Sequence, residues 1–171
     1  MQIALLLALL STPACGPTLE AVFIEGAPRD RFDLISHAEA PWQVSRVEIV
    51  LEGSAGALIF DTAEGGPGRL VSQPFQTSAG EAVLAEVPTL ADGARRLVLR
   101  FETFEGGQRF GFTTDLDDTS PSGAIGTTIA GAEIAGASVV ATFTGPDGAR
   151  VRQRASFDAS ATARVAMPCT S

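Results

Sequence analysis

From about residue 19 the chain reads as short runs of alternating apolar and polar side chains, each ended by a Gly- or Pro-bearing turn. No 3.6-residue apolar period persists for three turns, so the pattern predicts strands and no long helices. Residues 21–25 and 31–36 flank the turn Gly26-Ala27-Pro28-Arg29-Asp30. Residues 44–52 alternate most clearly: Val47, Ile49 and Leu51 share one face, and Arg46, Glu48 and Glu52 share the other with Val50. Residues 58–61 and 69–72 bracket Glu64-Gly65-Gly66-Pro67-Gly68, and strands follow at 82–86, 96–104 and 109–114. The last two are joined by the hairpin loop Glu105-Gly106-Gly107. Residues 138–144 and 150–157 form a second hairpin around Gly145-Pro146-Asp147-Gly148, with Arg150, Arg152 and Arg154 on one face, and a final strand covers 163–167.

Eight to ten short strands with no crossover helices predict a single antiparallel β-sandwich over residues 15–171 and exclude a parallel α/β fold. Its core candidates are Val47, Ile49, Leu51, Leu97, Leu99, Phe101, Phe110, Phe112 and Phe157.

Residues 1–14 stand apart. Residues 3–10 are an unbroken apolar run, shorter than the roughly 20 residues that span a bilayer but the length of a secretory h-region. Thr12 and Ala14 place small side chains at −3 and −1 of a signal-peptidase site, although only the Met1 amine supplies positive charge ahead of the run. We therefore expect residues 1–14 to be a signal peptide, Cys15 to start the mature chain, and the protein to be periplasmic or extracellular. Cys15 then has three possible fates. A bacterial lipoprotein is cut just before a cysteine that carries the lipid, though Thr12-Pro13-Ala14 departs from the usual Leu and two small residues. Pairing with Cys169, the only other cysteine, is favoured by an even count in an exported chain. Closing so long a loop stabilises by roughly 4–5 kcal/mol in the chain-entropy model. Free thiols are the third outcome.

Composition narrows the chemistry. A net charge of −8 argues against a nucleic-acid partner. The absence of Lys, Asn and Tyr closes P-loop phosphate binding, Schiff-base catalysis and N-glycosylation. His37 is the only imidazole, so a two-histidine metal site is impossible and a Ser-His-Asp triad has a single possible base. Carboxylate pairs suited to glycoside hydrolysis arise by chance among 20 acids. No catalytic constellation can be placed, and a non-catalytic protein is expected.

The most informative segment is Phe112-Thr113-Thr114-Asp115-Leu116-Asp117-Asp118-Thr119-Ser120-Pro121. Asp115, Asp117 and Asp118 repel one another unless a cation neutralises them, and calcium, which takes six to eight oxygen ligands, is the expected ion. Glu25 or Asp30 from the first loop, or water, would complete its shell. The competing reading is a solvated turn in which Asp118 and Thr119 bond to nearby backbone. The arginine stripe can pair with anionic glycans or carboxylates, or simply protect a solvated strand from edge pairing. Trp42 is either a sugar-stacking platform or a partly buried core residue.

Several segments together resemble exported bacterial proteins of the aggregation factor core family. They are Val22-Phe23-Ile24-Glu25-Gly26-Ala27-Pro28-Arg29-Asp30-Arg31-Phe32, Gly53-Ser54-Ala55-Gly56-Ala57-Leu58-Ile59-Phe60-Asp61, Gln73-Pro74-Phe75, residues 112–119, and Gly131-Ala132-Glu133-Ile134-Ala135-Gly136-Ala137. The family is named after sponge aggregation factors, which act in calcium-dependent, glycan-mediated cell adhesion. The resemblance implies an adhesion or matrix module that binds itself, another envelope protein or a glycan. The alternative is a periplasmic accessory domain that docks onto an envelope assembly through a sheet edge. With no Tyr and one Trp, the chain offers few sugar platforms, which favours protein contact.

Overall fold

In a computed structural model, the structure describes residue 16 and residues 18–68, 71–119 and 129–167. The predicted signal peptide, Cys15 and Cys169 lie outside the described residues. The strands are β1 (Thr18–Ile24), β2 (Asp30–Ser36), β3 (Gln43–Val50), β4 (Ile59–Asp61), β5 (Gln76–Gly80), β6 (Val83–Leu84), β7 (Arg96–Thr103), β8 (Arg109–Asp117), β9 (Ser138–Thr144), β10 (Arg150–Ser156) and β11 (Thr162–Ala166).

They form two antiparallel sheets. One runs β11-β1-β2-β8-β4, with β5 also paired to β8; the other runs β10-β9-β3-β7-β6. The inward residues of both sheets make one apolar core, as period-two alternation requires of a sandwich. All nine residues predicted for the core are buried. The rings of Phe32 and Phe112 stack 4.9 Å apart at its centre, and Phe23 and Phe75 flank them. The chain crosses from β10 to β11 over a turn held by Asp158, which accepts bonds from Ser160 N at 2.8 Å and Thr162 N at 3.1 Å.

Two local expectations change. Val71 and Ser72, placed in a strand by the sequence, belong to none, and the strand of that region is β5. The β5 stretch Gln76-Thr77-Ser78-Ala79-Gly80 is exposed throughout and shifts register between Thr77 and Ala79. It has no apolar face for a pattern to reveal.

The pairing of β2, β8 and β4 positions the polar features. Asp30 opens β2 opposite Thr114, while Asp115 and Asp117 close β8 opposite Asp61 and Ile59 of β4. One end of this sheet therefore collects carboxylates from three strands.

Candidate functional site

Asp30 is 1% exposed, and its carboxylate accepts Gly26 N on Oδ1 and Leu116 N on Oδ2, each at 3.1 Å. It thereby ties the first turn to β8. Burial pushes its pKa up to about 7; the two backbone donors oppose that rise, and repulsion from Asp117 and Glu25 adds to it. Asp115 is raised to about 7, first by burial and then by Asp30, Asp117 and Asp61. Asp61 reaches about 6 through burial and the charges of Asp117 and Asp92. It also hydrogen-bonds to both of those carboxyls, contacts that favour its neutral, proton-donating form. Asp92 is held low, chiefly because Thr62 N donates to its Oδ1 at 2.7 Å.

Among the described residues no ion pair joins an arginine to Asp30, Asp61 or Asp115. Nor do three acidic, His or Cys side chains there converge as a ready metal shell. The carboxyls close on one another instead. Asp115 and Asp117 belong to the cluster as expected from the sequence, and so does Asp30. Asp118 lies in the turn beyond β8 with Oδ1 buried and without a hydrogen bond, and it is not a leading influence on Asp30, Asp61 or Asp115. Thr119 Oγ1 donates across the fold to Ala57 O at 2.6 Å. Glu25 accepts Gly131 N at 2.6 Å.

Asp61 was not singled out by the sequence. It lies far from residues 115–118 along the chain, and only the β4–β8 register brings it beside them.

A second charged surface covers the outer face of the β10-β9-β3-β7-β6 sheet. Cross-strand register sets Arg152, Thr142, Arg46 and Arg100 in one row, with Arg96, Arg150 and Arg154 in neighbouring rows. These six are half of the chain's 12 basic residues. Glu48 lies beneath them, its side chain 5% exposed: Arg152 approaches Oε1 at 3.0 Å, Arg46 Nε the same oxygen at 3.3 Å, and Arg96 Oε2 at 3.6 Å. Arg46 Nε stands out of line for a hydrogen bond despite its distance. Glu86 takes Arg100 at 2.8 Å. The predicted stripe on β10 is thus one edge of a broader basic plate. Glu48, expected on a solvated face, points outward but is roofed by guanidinium groups.

At the opposite end of the sandwich from the carboxylates, His37, Trp42, Gln43, Glu105 and Gly106 line an open cleft of about 620 Å³. Trp42 is half-buried and packs against the core. A Cβ on Gly145 would come within 2.8 Å of its ring, so glycine is what lets that turn lie across the indole. His37 is exposed, and its backbone N–H donates to Thr18 O at 2.9 Å. No helix among the described residues is long and apolar enough to cross a membrane. Comparison of the chain with protein-family models, with curated proteins and with solved structures gives no match.

Proposed function

We propose that this protein is an exported, non-catalytic adhesion module of the cell surface that associates with further copies of itself through the arginine-rich face. The observation that carries the reading is the plate itself: six arginines on one sheet face, against Glu48 and the neighbouring Glu86 and Glu102, in a chain of net charge −8. The rest of such a molecule is strongly acidic, so a second copy offers the counter-surface. Guanidinium groups pair bidentately with carboxylates. Contact between two different patches is heterologous, and unless its rotation closes a ring it propagates into open assemblies. The resemblance to aggregation factor core proteins supports the same reading.

The test is size-exclusion chromatography with light scattering at low and high salt, alongside a screen of anionic glycans. The expected result is concentration-dependent association that salt weakens and that Arg150→Glu with Arg154→Glu abolishes. A strict monomer at every concentration overturns self-association. If that monomer binds sulfated or uronate glycans, the plate is a glycan surface instead.

A further inference from the structure

The chain has no Asn, so deamidation is closed to it, but Asp-Gly occurs twice, at Asp92-Gly93 and Asp147-Gly148, each followed by Ala. In this dipeptide a backbone can rearrange without an enzyme, because glycine has no side chain to shield its nitrogen from the preceding carboxyl. The two copies stand in opposite surroundings.

Asp147 and Gly148 form the tip of the β9–β10 hairpin. Asp147 adopts the left-handed region, with φ 56° and ψ 21°, and Gly148 follows at φ 76°. Asp is among the residues that tolerate that region, and Asp-Gly suits a tight hairpin turn. Residues 146–150 are all exposed. Among the described residues, nothing lies within 4 Å of where a Cβ on Gly148 would sit, and no hydrogen bond or ion pair holds the Asp147 carboxyl. Asp92, by contrast, is clamped. Its Oδ1 accepts Thr62 N at 2.7 Å and Ala63 N at 3.2 Å, and Asp61 hydrogen-bonds to the same carboxyl. A Cβ on Gly66 would lie 1.7 Å from Oδ2, so the chain at Gly66 closes over the other oxygen. The nitrogen that would attack, Gly93 N, donates to Phe60 O at 2.8 Å. The donors also hold the carboxyl ionised, the form from which water does not leave.

We propose that Asp147 is a self-modification site, an exposed Asp-Gly that converts to an isoaspartyl linkage, while the fold protects Asp92 from the same reaction. Gly148 N attacks Asp147 Cγ, and the new N–Cγ bond closes a five-membered cyclic imide. The carboxyl hydroxyl and the amide proton leave together as water. Solvent water then adds at the main-chain carbonyl carbon of Asp147 and breaks that carbon's bond to Gly148 N. The chain now runs through Cβ and Cγ, and the former carbonyl is a free α-carboxylate. One water is lost and one gained, so mass and net charge are unchanged and no oxidant is needed. The added backbone carbon falls in the turn that sets Arg150 opposite Thr144.

The experiment incubates the full chain for several weeks at neutral pH and physiological temperature, folded in one sample and unfolded in urea in another. High salt in both weakens contact between charged surfaces of different copies. The two Asp-Gly peptides are then separated by chromatography and fragmented by electron transfer, which distinguishes the linkages at equal mass. In urea the two sites should convert at similar rates. In the folded protein isoaspartate should form at residue 147 at least about tenfold faster than at 92, because freeing Asp92 first breaks its hydrogen bonds. No isoaspartate at 147 in the folded chain, or a 147-to-92 ratio no higher folded than unfolded, overturns the proposal.

Discussion

Asp61 and Asp115 face each other directly across the β4–β8 ladder, both almost fully buried. Like charges at opposed positions of an antiparallel pair destabilise it. This pair adjoins Asp117 and Asp30 in the same corner. The fold tolerates the arrangement by holding these carboxyls protonated more readily than carboxyls in water.

Stability should therefore rise on mild acidification. The folded-state pKa values, about 7 for Asp30 and Asp115 and about 6 for Asp61, all lie above the ordinary 3.8. The folded state then binds more protons than the unfolded chain between those limits. Stability is greatest near the lower limit and is lost as pH rises through 6 to 7. For Asp30 alone the effect is on the order of 4 kcal/mol at most. Thermal melts should give a higher Tm at pH 5 than at pH 7.5.

Asp30 should separate charge from hydrogen bonding. Asp30→Ala relieves repulsion but strands Gly26 N and Leu116 N, each worth about 1–3 kcal/mol when buried and unpaired. Its net effect should be a loss of stability. Asp30→Asn keeps an acceptor without the charge and should lose less, and its Tm should vary less between pH 5 and 7.5 than that of the wild type. Melts of the three proteins at both pH values check this.

Glu48 should act as the keystone of the basic plate. In Glu48→Gln, Arg46, Arg96 and Arg152 lose their shared counter-charge. Because the Arg96 and Arg152 guanidinium groups are well exposed and can turn to water, we expect a cost of about 1–2 kcal/mol rather than the larger loss of a sealed ion pair. Sulfate should restore more of the lost Tm in the variant than it adds to the wild type.

The cysteines should be linked. The outermost described pair of β1 and β11 is Thr18 with Ala166, and Cys15 and Cys169 each lie three residues beyond it along the chain. Intact-mass measurement of native material should read two hydrogens below the reduced chain that begins at Cys15; added diacylglycerol and acyl mass would mark a lipoprotein instead.

Alternation made the sandwich legible wherever a strand buries one face. Leu97, Leu99 and Phe101 declared β7, and Arg150, Arg152 and Arg154 declared the exposed face of β10. It failed for β5, whose polar residues bury neither face. The acidic corner was half legible. Asp115 and Asp117 are neighbours on one strand, and Asp30 was reachable through the first turn, but Asp61 joins only through tertiary register, which local spacing does not encode. Asp118 lies past the end of β8 and is not a leading influence on Asp30, Asp61 or Asp115, so adjacency in sequence was a poor guide to adjacency in space. The plate was hidden for the same reason: its rows run across four strands, and its arginines come from three of them, β3, β7 and β10.

The pairing of β1 with β11 also sets how the domain bears force. Thr18 opens the first strand and Ala166 closes the last, so the ladder between them starts where both chain ends leave. Tension applied between those ends would load one cross-strand pair at a time, peeling the strands apart instead of shearing them all at once. A domain hung from one chain end and gripped on its sheet face would carry load through many bonds in parallel. The β1–β11 ladder is thus weak against a pull between its own two ends and stronger against a load spread over a sheet face.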